Sequence, residues 1–509
     1  MADFTREEIE EKLEEYAEML ASREEEDEFL DEPDEDIEET AGEEEENPTD
    51  DNDETTEVVA EATKEAAVED KEPGLESIFE GKDLSGLDLS GINFHGISLQ
   101  KTNLKRTNLS ESTLAESNLN QANLDQANIS DTNMENISCL EGVMTGANME
   151  AINLQGAKLL GTDFSKSNLE KANFRKSKAM ETKLIKCNLN NADFSNSDFS
   201  RANLKEAKIT ESDLSRARFN NAIFEGADFT DSRLSMGVFF EANFKTANLN
   251  RALIKGAKLA GGNFANANLV RADITGAELT DATFHGADFS RAKLNGTILR
   301  RSDLKDCDLS EADLSLADMT GANLVGAKLS GANLDRIKLN QAQLNEAQLS
   351  GARLTKAKLI QVDLTEADLS GANLTGAELN EATLEGADLS RANLTEAILT
   401  NANLEKTFLV GANLQRADLE RVNLKGADMA GVKLRSANLK NADLKKVDLR
   451  RSDLEHADFS KANLSSANFT GAKMSESLFI DADLTETKMD SADTTDTQFQ
   501  GAIGFKVSP

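Results

Sequence analysis

The sequence predicts an all-β fold, a parallel β-solenoid, and three observations support this prediction. The first is a five-residue period, which is clearest between residues 371 and 397, where the chain reads GANLTGAELNEATLEGADLSRANLTEA. The second is its continuity: from Leu84 to Phe499 every residue whose number ends in 4 or 9 is apolar, except for the weak members Ala179 and Thr494. The third is a small residue, usually alanine, two places before each apolar one.

A period of five excludes both ordinary elements. Along an α-helix the leucines would spiral around the axis and define no face. Along a plain strand an odd period would place alternate leucines on opposite sides of the sheet. Both objections disappear if the chain turns a corner once per repeat, so that the leucine (the centre) and the alanine (the alanine place) point inward together. The next two residues then form the corner.

A chain that turns once per repeat can close into a coil. With four corners, the number that the family resemblance described below implies, a coil takes twenty residues, and stacked coils pair backbone to backbone at about 4.8 Å. The 84 repeats from Leu84 to Phe499 therefore predict about 21 coils and a tube roughly 100 Å long. Between Leu294 and Leu454 every centre is leucine except Met319 and Met429. The predicted structural core includes these centres: Leu294, Leu304, Leu324, Leu344, Leu374, Leu394 and Leu414.

The tandem motif A-(D/N)-L-x-x resembles the repeats of the pentapeptide repeat protein family, and the match covers more than four fifths of the chain. This resemblance implies a right-handed quadrilateral β-helix for residues 83–509. We interpret the outward Asn and Asp columns, such as Asn93, Asn133, Asn153 and Asn173, as structural ladders rather than ligand sites. Gyrase-directed members of the family carry loops that interrupt the helix and a C-terminal dimerisation end, and this sequence has neither feature.

The least regular stretch of the repeat has Ile129, Met134, Cys139, Met144 and Met149 as centres. We expect local distortion there.

Residues 1–82 form an acidic N-terminal region, with 36 Asp and Glu against 6 Lys and Arg. Thr5 and Glu8 form a capping box, which predicts a helix over about 6–26. The acidic run from Phe29 to about Asp53 predicts a disordered linker, and a second weak helix is expected over 56–68. A short capping helix is expected over about 74–80, with Leu75, Ile78 and Phe79 closing the first coil.

Apolar residues on the first helix define a narrow face that needs a cover. These possible partner contacts are Ile9, Leu13, Tyr16 and Leu20. At the other end the pattern decays, and Phe499, Ile503 and Phe505 predict a C-terminal cap over about 494–509.

A second candidate contact surface is an outward apolar stripe. Leu140, Leu160 and Met180 follow one another at intervals of twenty residues in the place after the centre. Two coils later Phe240 occupies the same column, with Met236 and Val238 nearby. A contiguous apolar column on a polar tube suggests a contact surface. The alternative is that distortion around Cys139 and Ala179 turns some of these side chains inward.

Charge argues against mimicry of DNA by the whole tube. A duplex carries about one negative charge per 1.7 Å, which would be roughly 59 over this length. Residues 83–509 carry 57 acidic and 49 basic side chains. The column from Asp288 to Asp448 is interrupted, and we interpret it as a solvated face. Direct nucleic-acid binding is not expected, since the arginine ladder Arg251, Arg271 and Arg291 has no exposed aromatic residues for stacking and could instead receive an acidic tail.

The sequence presents no catalytic, cofactor-binding or metal site. Cys139, Cys187 and Cys307 fall on inward positions, and the latter two lie about 29 Å apart. This excludes a disulfide or a shared zinc site between them. His95, His285 and His456 point outward on different coils. We therefore expect no enzyme activity and no cofactor. Since no secretory or membrane-spanning segment is recognisable, the cytoplasm is the expected compartment.

The first functional hypothesis is a non-enzymatic interaction or scaffold protein, a rigid β-helical rod whose acidic N-terminal arm binds an unidentified protein partner. An alternative, by family analogy, is an inhibitor or protector of gyrase or another topoisomerase, including by DNA mimicry. A third is an effector or a component of a virion or other assembly. Self-association through the apolar stripe or the N-terminal helix is a further hypothesis.

Overall fold

A computed structural model of the chain describes residues 2–27 and 75–504. Helix α1 spans Arg6–Asp27, and a single turn of 3₁₀-helix spans Leu75–Ser77. The predicted linker and the weak helix over 56–68 lie outside the described residues, as does Phe505. From residue 83 onward the chain is a right-handed, four-sided parallel β-helix.

Each side of a coil contributes one residue to a parallel bridge with the residue twenty positions later. The bridges run without interruption from Asp83↔Asn103 to Asp483↔Ile503, and so make about 21 coil-to-coil steps. The rise per coil is visible in the lining, where Phe224, Phe244 and Phe264 stack with ring centroids 4.7 Å apart. The prediction of a closed coil with a period of twenty is confirmed.

The repeat satisfies all five of its backbone N–H groups, as Ala372–Gly376 illustrates. Ala372 donates to Leu369 in the same coil at 3.0 Å, and Asn373 donates to Ala352 in the preceding coil at 2.9 Å. Leu374 and Gly376 donate to the following coil at 2.7 and 2.9 Å. Thr375 donates to the side-chain Oδ1 of Asn373 at 3.1 Å. Where an Asn or Asp precedes the centre, its side-chain oxygen can accept the one N–H of the repeat that no backbone group binds here.

Every corner ends in a residue with a left-handed backbone, such as Gly376 at φ 64° and Glu381 at φ 58°. Glycine adopts this conformation freely, and other residues pay a strain of roughly 1–2 kcal/mol. Many corners nevertheless carry charged residues. Their side chains point into solvent, where they can form ion pairs with the corner residue twenty positions away. Arg201 with Glu181 is one such pair at 2.8 Å.

The irregular stretch is distorted only at its corners. The backbone bond that Ala372 illustrates is missing at four successive alanine places, Thr132, Ile137, Gly142 and Ala147. The ladder between coils continues regardless, with Cys139 N donating to Lys158 O at 2.8 Å. A Cβ atom on Gly142 would overlap the Sγ atom of Cys139, so the glycine makes room for the thiol.

Helix α1 caps the first coil. Its capping box is present as predicted, since Thr5 N donates to Glu8 Oε2 at 2.7 Å and Glu8 N donates to Thr5 Oγ1 at 3.3 Å. The Arg6 guanidinium donates to the free carbonyl oxygens of Asp88 and Ser90 at 3.2 and 3.0 Å. Asp3 exchanges two bonds with Asp83, one through its N–H and one through its carboxylate. The free edge of the first coil is thus partly paired.

Aromatic residues fill the space beneath the helix. Phe79 is 1% exposed and makes edge-to-face contacts with Phe4 at 5.5 Å and Phe94 at 6.3 Å. Ile78 is half-buried against the same core, and Ile9 is fully buried.

The last coil is closed less completely. Phe499 is half-buried and stacks on Phe479 at 5.4 Å. Ile503 is 59% exposed, so the prediction that it closes the tube is wrong. The reason is its place in the repeat: it occupies the Asn/Asp place, from which the side chain points outward.

Candidate protein-interaction surface

One face of a single coil carries three outward apolar residues. Met236 is 62% exposed, Phe240 is 38% exposed, and Val238 between them is partly exposed. We call these three residues the apolar face. Val238 is paired in register with Arg218 in the preceding coil and with Lys258 in the following coil. The apolar face is therefore bordered by cationic side chains on both sides along the tube.

A glycine in the next coil leaves room for the most exposed of these residues. The Met236 Sδ atom lies over Gly256, where an added Cβ atom would approach it to 2.8 Å. The same corner column continues with Gly276 and Gly296, above which no side chain lies within 4 Å, and reaches Leu316, which is 59% exposed. Between the two exposed apolar residues Met236 and Leu316, this corner column therefore carries only glycines and no projecting side chains.

The column of Leu140, Leu160 and Met180 also remains on the outer surface. All three are half-buried, which is usual for the place after the centre. Ala179 is a fully buried centre, and its N–H donates to Asp198 O at 2.7 Å like any other centre. Other exposed apolar side chains occupy ordinary outward places and were not among the predicted contacts: Ile223, Leu253, Ile398, Phe408 and Val410.

The apolar side of helix α1 packs against the rest of the molecule. Ile9 is fully buried, and Leu13 and Tyr16 are half-buried against the core of the tube, whereas Leu20 is 40% exposed. Ile9 therefore cannot contact a partner while the helix is docked. The first coil itself covers this side of the helix.

The arginine ladder lines a cleft of about 240 Å³ at another corner. Arg251 turns toward the preceding coil and pairs with Asp231 through two bonds of 2.7 and 2.5 Å. Arg291 turns toward the following coil and pairs with Glu311 through bonds of 2.9 and 3.3 Å. Arg271 lies between them and has no hydrogen-bond or ion-pair partner among residues 2–27 and 75–504.

The acidic columns are tied into the backbone. Asp288, Asp368 and Asp428 each accept the N–H of the residue two positions later, at 2.8, 2.9 and 3.2 Å. The asparagine columns add side-chain ladders, as in the bond of 2.9 Å from Asn153 to Asn133. The predicted side-chain ladder runs through Asn133, Asn153 and Asn173, whereas Asn93 accepts the N–H of His95 at 3.0 Å and pairs in register with Thr113.

Two aspartates are nearly buried and serve as structural anchors. Asp318 is 7% exposed and accepts two bonds from Arg300, at 3.0 and 2.8 Å. Burial alone would raise the pKa of this carboxyl, but the hydrogen bonds from Arg300 and Thr320 lower it below its ordinary value. Asp273 has the same balance, with Lys255 and Thr275 as its donors. Both carboxylates stay ionised and paired.

The three thiols are inert packing groups. Burial raises the pKa of Cys139, Cys187 and Cys307 to about 12. Cys187 and Cys307 direct their sulfur atoms at the carbonyl oxygens of Phe164 and Phe284, at 2.9 and 3.0 Å. His285 and His456 are surface residues that face Asp306 and Glu476. In the part of the chain that the structure describes, no cluster of His, Cys, Asp or Glu could hold a metal ion.

The structure thus defines a protein class, the four-sided β-solenoid built from five-residue repeats. The model of the family described as pentapeptide repeats (8 copies) matches residues 77–138, 147–245 and 247–503. The chain belongs to this family. The gap at 139–146 contains Gly142, one of the four successive alanine places that lack the backbone bond. No curated protein sequence matches the chain.

Solved structures of similar proteins include three with pentapeptide repeats. HetL, involved in heterocyst differentiation regulation in the cyanobacterium Nostoc sp. strain PCC 7120, is 33% identical and covers 46% of this chain and 90% of its own (TM-score 0.20). QnrB1, a plasmid-mediated fluoroquinolone resistance protein, is 19% identical over 48% of this chain and 89% of its own (TM-score 0.23). A protein from the thylakoid lumen of Arabidopsis thaliana is 36% identical over 20% and 65%, respectively (TM-score 0.13). Within residues 2–27 and 75–504, no helix has the length and hydropathy needed to cross a membrane.

Proposed function

We propose that this chain is a non-enzymatic protein-binding rod and that the apolar face is its principal contact surface. The observation that supports this proposal is the exposure of Met236 and Phe240 at the two ends of one flat side of the tube. Removing such a surface from water would contribute roughly 25 cal/mol per Å². The regular tube supplies the rigidity, because each coil is bonded to the next along all four sides.

The cationic residues that border the apolar face indicate what kind of partner surface would fit it. Arg218 and Lys258 pair in register with Val238, and neither has an ion-pair partner among the described residues. A partner with an apolar centre and acidic groups around it would bury the apolar face and neutralise this rim.

The test compares M236S/F240S with L316S in affinity capture followed by cross-linking at position 240. Serine at 236 is compatible with the corner, because Ser436 occupies the same column at φ 59°. Leu316 is as exposed as Met236 and lies in the same column, so L316S is a matched control. A partner should be captured by the wild type and L316S but lost with M236S/F240S. Capture that survives the double substitution would refute the proposal.

A further inference from the structure

The cleft lined by Arg251, Arg271 and Arg291 contains an arginine, Arg271, that no acidic side chain in the described structure neutralises. The column reads Asp231, Arg251, Arg271, Arg291 and Glu311, one residue per coil. Both outer arginines turn away from the centre toward their carboxylates. Their divergence opens the space around Arg271.

Neutral hydrogen-bonding groups surround this guanidinium. Asn250, Ser290 and Ser310 line the cleft, and Val270 adds an apolar wall. The backbone N–H groups of Asn250, Ser290 and Ser310 are occupied by side-chain oxygens two positions earlier. Their own amide and hydroxyl groups make no hydrogen bond within residues 2–27 and 75–504. The cleft therefore offers one free guanidinium and several free polar groups.

We infer that the cleft around Arg271 is a binding site for a carboxylate of an acidic protein segment. The neighbouring arginines show the chemistry that this corner accommodates, since both hold a carboxylate through two bonds. A planar guanidinium matches the two oxygens of a carboxylate in that geometry. The charge of the surrounding coils also favours binding of an anion, because residues 241–300 carry eight basic and five acidic side chains.

The carboxylate is favoured over a nucleic-acid phosphate. A duplex presents a continuous line of phosphates at about 1.7 Å per charge, whereas the described column exposes one unpaired arginine between two neutralised ones. The cleft also offers no aromatic ring among its lining residues, and single-stranded nucleic acids are usually held by stacking.

This inference deepens the proposed function, because it names the chemistry of one group on a protein ligand. Its test is independent of the apolar face. The affinity of the full chain for a labelled peptide of six glutamates would be measured by fluorescence anisotropy. A hexaglutamine peptide, inorganic phosphate and a short oligonucleotide would each be tested as competitors of the labelled peptide. Failure here with continued capture through the apolar face would refute only the cleft, and the reverse result would refute only the apolar face.

The key variant is R271Q, and R391Q is its matched control. Arg391 occupies the same corner column, also lacks a partner in the described structure, and lies between Gly371 and Gly411 rather than between arginines. Glutamine is compatible with this backbone, because Gln341 and Gln361 adopt φ values of 60° and 57° at corners. R271Q should weaken glutamate-peptide binding about tenfold, which equals about 1.4 kcal/mol, and R391Q should leave it within about twofold.

A gain of affinity provides the second readout. E311Q removes the partner of Arg291 and should strengthen binding several-fold, because a second guanidinium then becomes free beside Arg271. Equal effects of R271Q and R391Q, no preference for glutamate over glutamine, or tighter binding of phosphate or the oligonucleotide than of the peptide would each overturn the assignment.

Discussion

At the first coil, helix α1 covers the lining and Arg6 bonds to the exposed carbonyl groups, whereas at the last described coil, residues 485–504, the lining meets solvent. Met489 and Ala492 are only half-buried there, and Thr494 is exposed. An edge with unpaired backbone groups and apolar side chains is a template for association.

The two ends also differ in how their lining is buried. Beneath the helix, Phe79 and Phe94 are fully buried. In the last coil, polar residues replace alanine at Thr487 and Thr497, and their hydroxyls donate to Leu484 and Met474 at 2.9 and 2.8 Å. Hydroxyl groups at the alanine place also occur near the covered end, as at Thr102 and Thr107, so the helix is the feature that distinguishes the two ends.

The largest expected effect comes from removing the cap. Deletion of residues 2–27 would expose Phe79 and free the edge of the first coil, so we expect more self-association than in the full chain. Size-exclusion chromatography with light scattering would measure it. Deletion of residues 33–58, a segment of equal length with more acidic residues, is the control and should not cause it. Equal behaviour of both deletions would mean that α1 does not protect the edge.

A single buried charge should release the helix. I9D places a carboxylate at a fully buried position, which costs on the order of 3–5 kcal/mol unless the helix undocks. L20D alters a residue that is 40% exposed and should change stability by less than about 0.5 kcal/mol. Hydrogen exchange of residues 6–20 would then be fast in I9D and unchanged in L20D. Slow exchange in I9D would contradict the docked helix.

Truncation of one aromatic residue at each end should have unequal effects. F79A empties a fully buried site, where the loss is about 3–5 kcal/mol. F499A alters a half-buried ring and should cost roughly half as much. Because a long solenoid need not unfold in one step, the comparison is best made by local hydrogen exchange of residues 83–102 and 485–504. Similar losses at both ends would show that the last coil is better covered than its exposure indicates.

The smallest expected effect concerns the helix cap and pH. The hydrogen bonds from Thr5 lower the pKa of Glu8 below its ordinary value of 4.5. The ionised form therefore stabilises the cap above that pH, and this contribution is lost as the pH falls through the lowered value. Helical circular dichroism should decrease slightly on acidification. E8Q should lack that part of the change, and an identical acid profile would argue against the capping box.

The sequence by itself determined the period, the inward places and the coil, and its capping box predicted the start of α1 at the residue where the structure begins it. These features depend on contacts between residues that are at most about twenty positions apart and recur in every coil. The backbone conformation of one repeat therefore predicts that of the others. It also determined that Arg251, Arg271 and Arg291 share a column.

Only the tertiary structure decided where α1 docks and how the arginines turn. Arg6 meets Asp88 and Ser90 more than eighty residues away, and no periodic pattern links such positions. The divergence of Arg251 and Arg291 depends likewise on which neighbours each side chain finds in space. Repetition fixes the backbone because its interactions are local, whereas docking and side-chain pairing depend on unique surfaces that are brought together by folding.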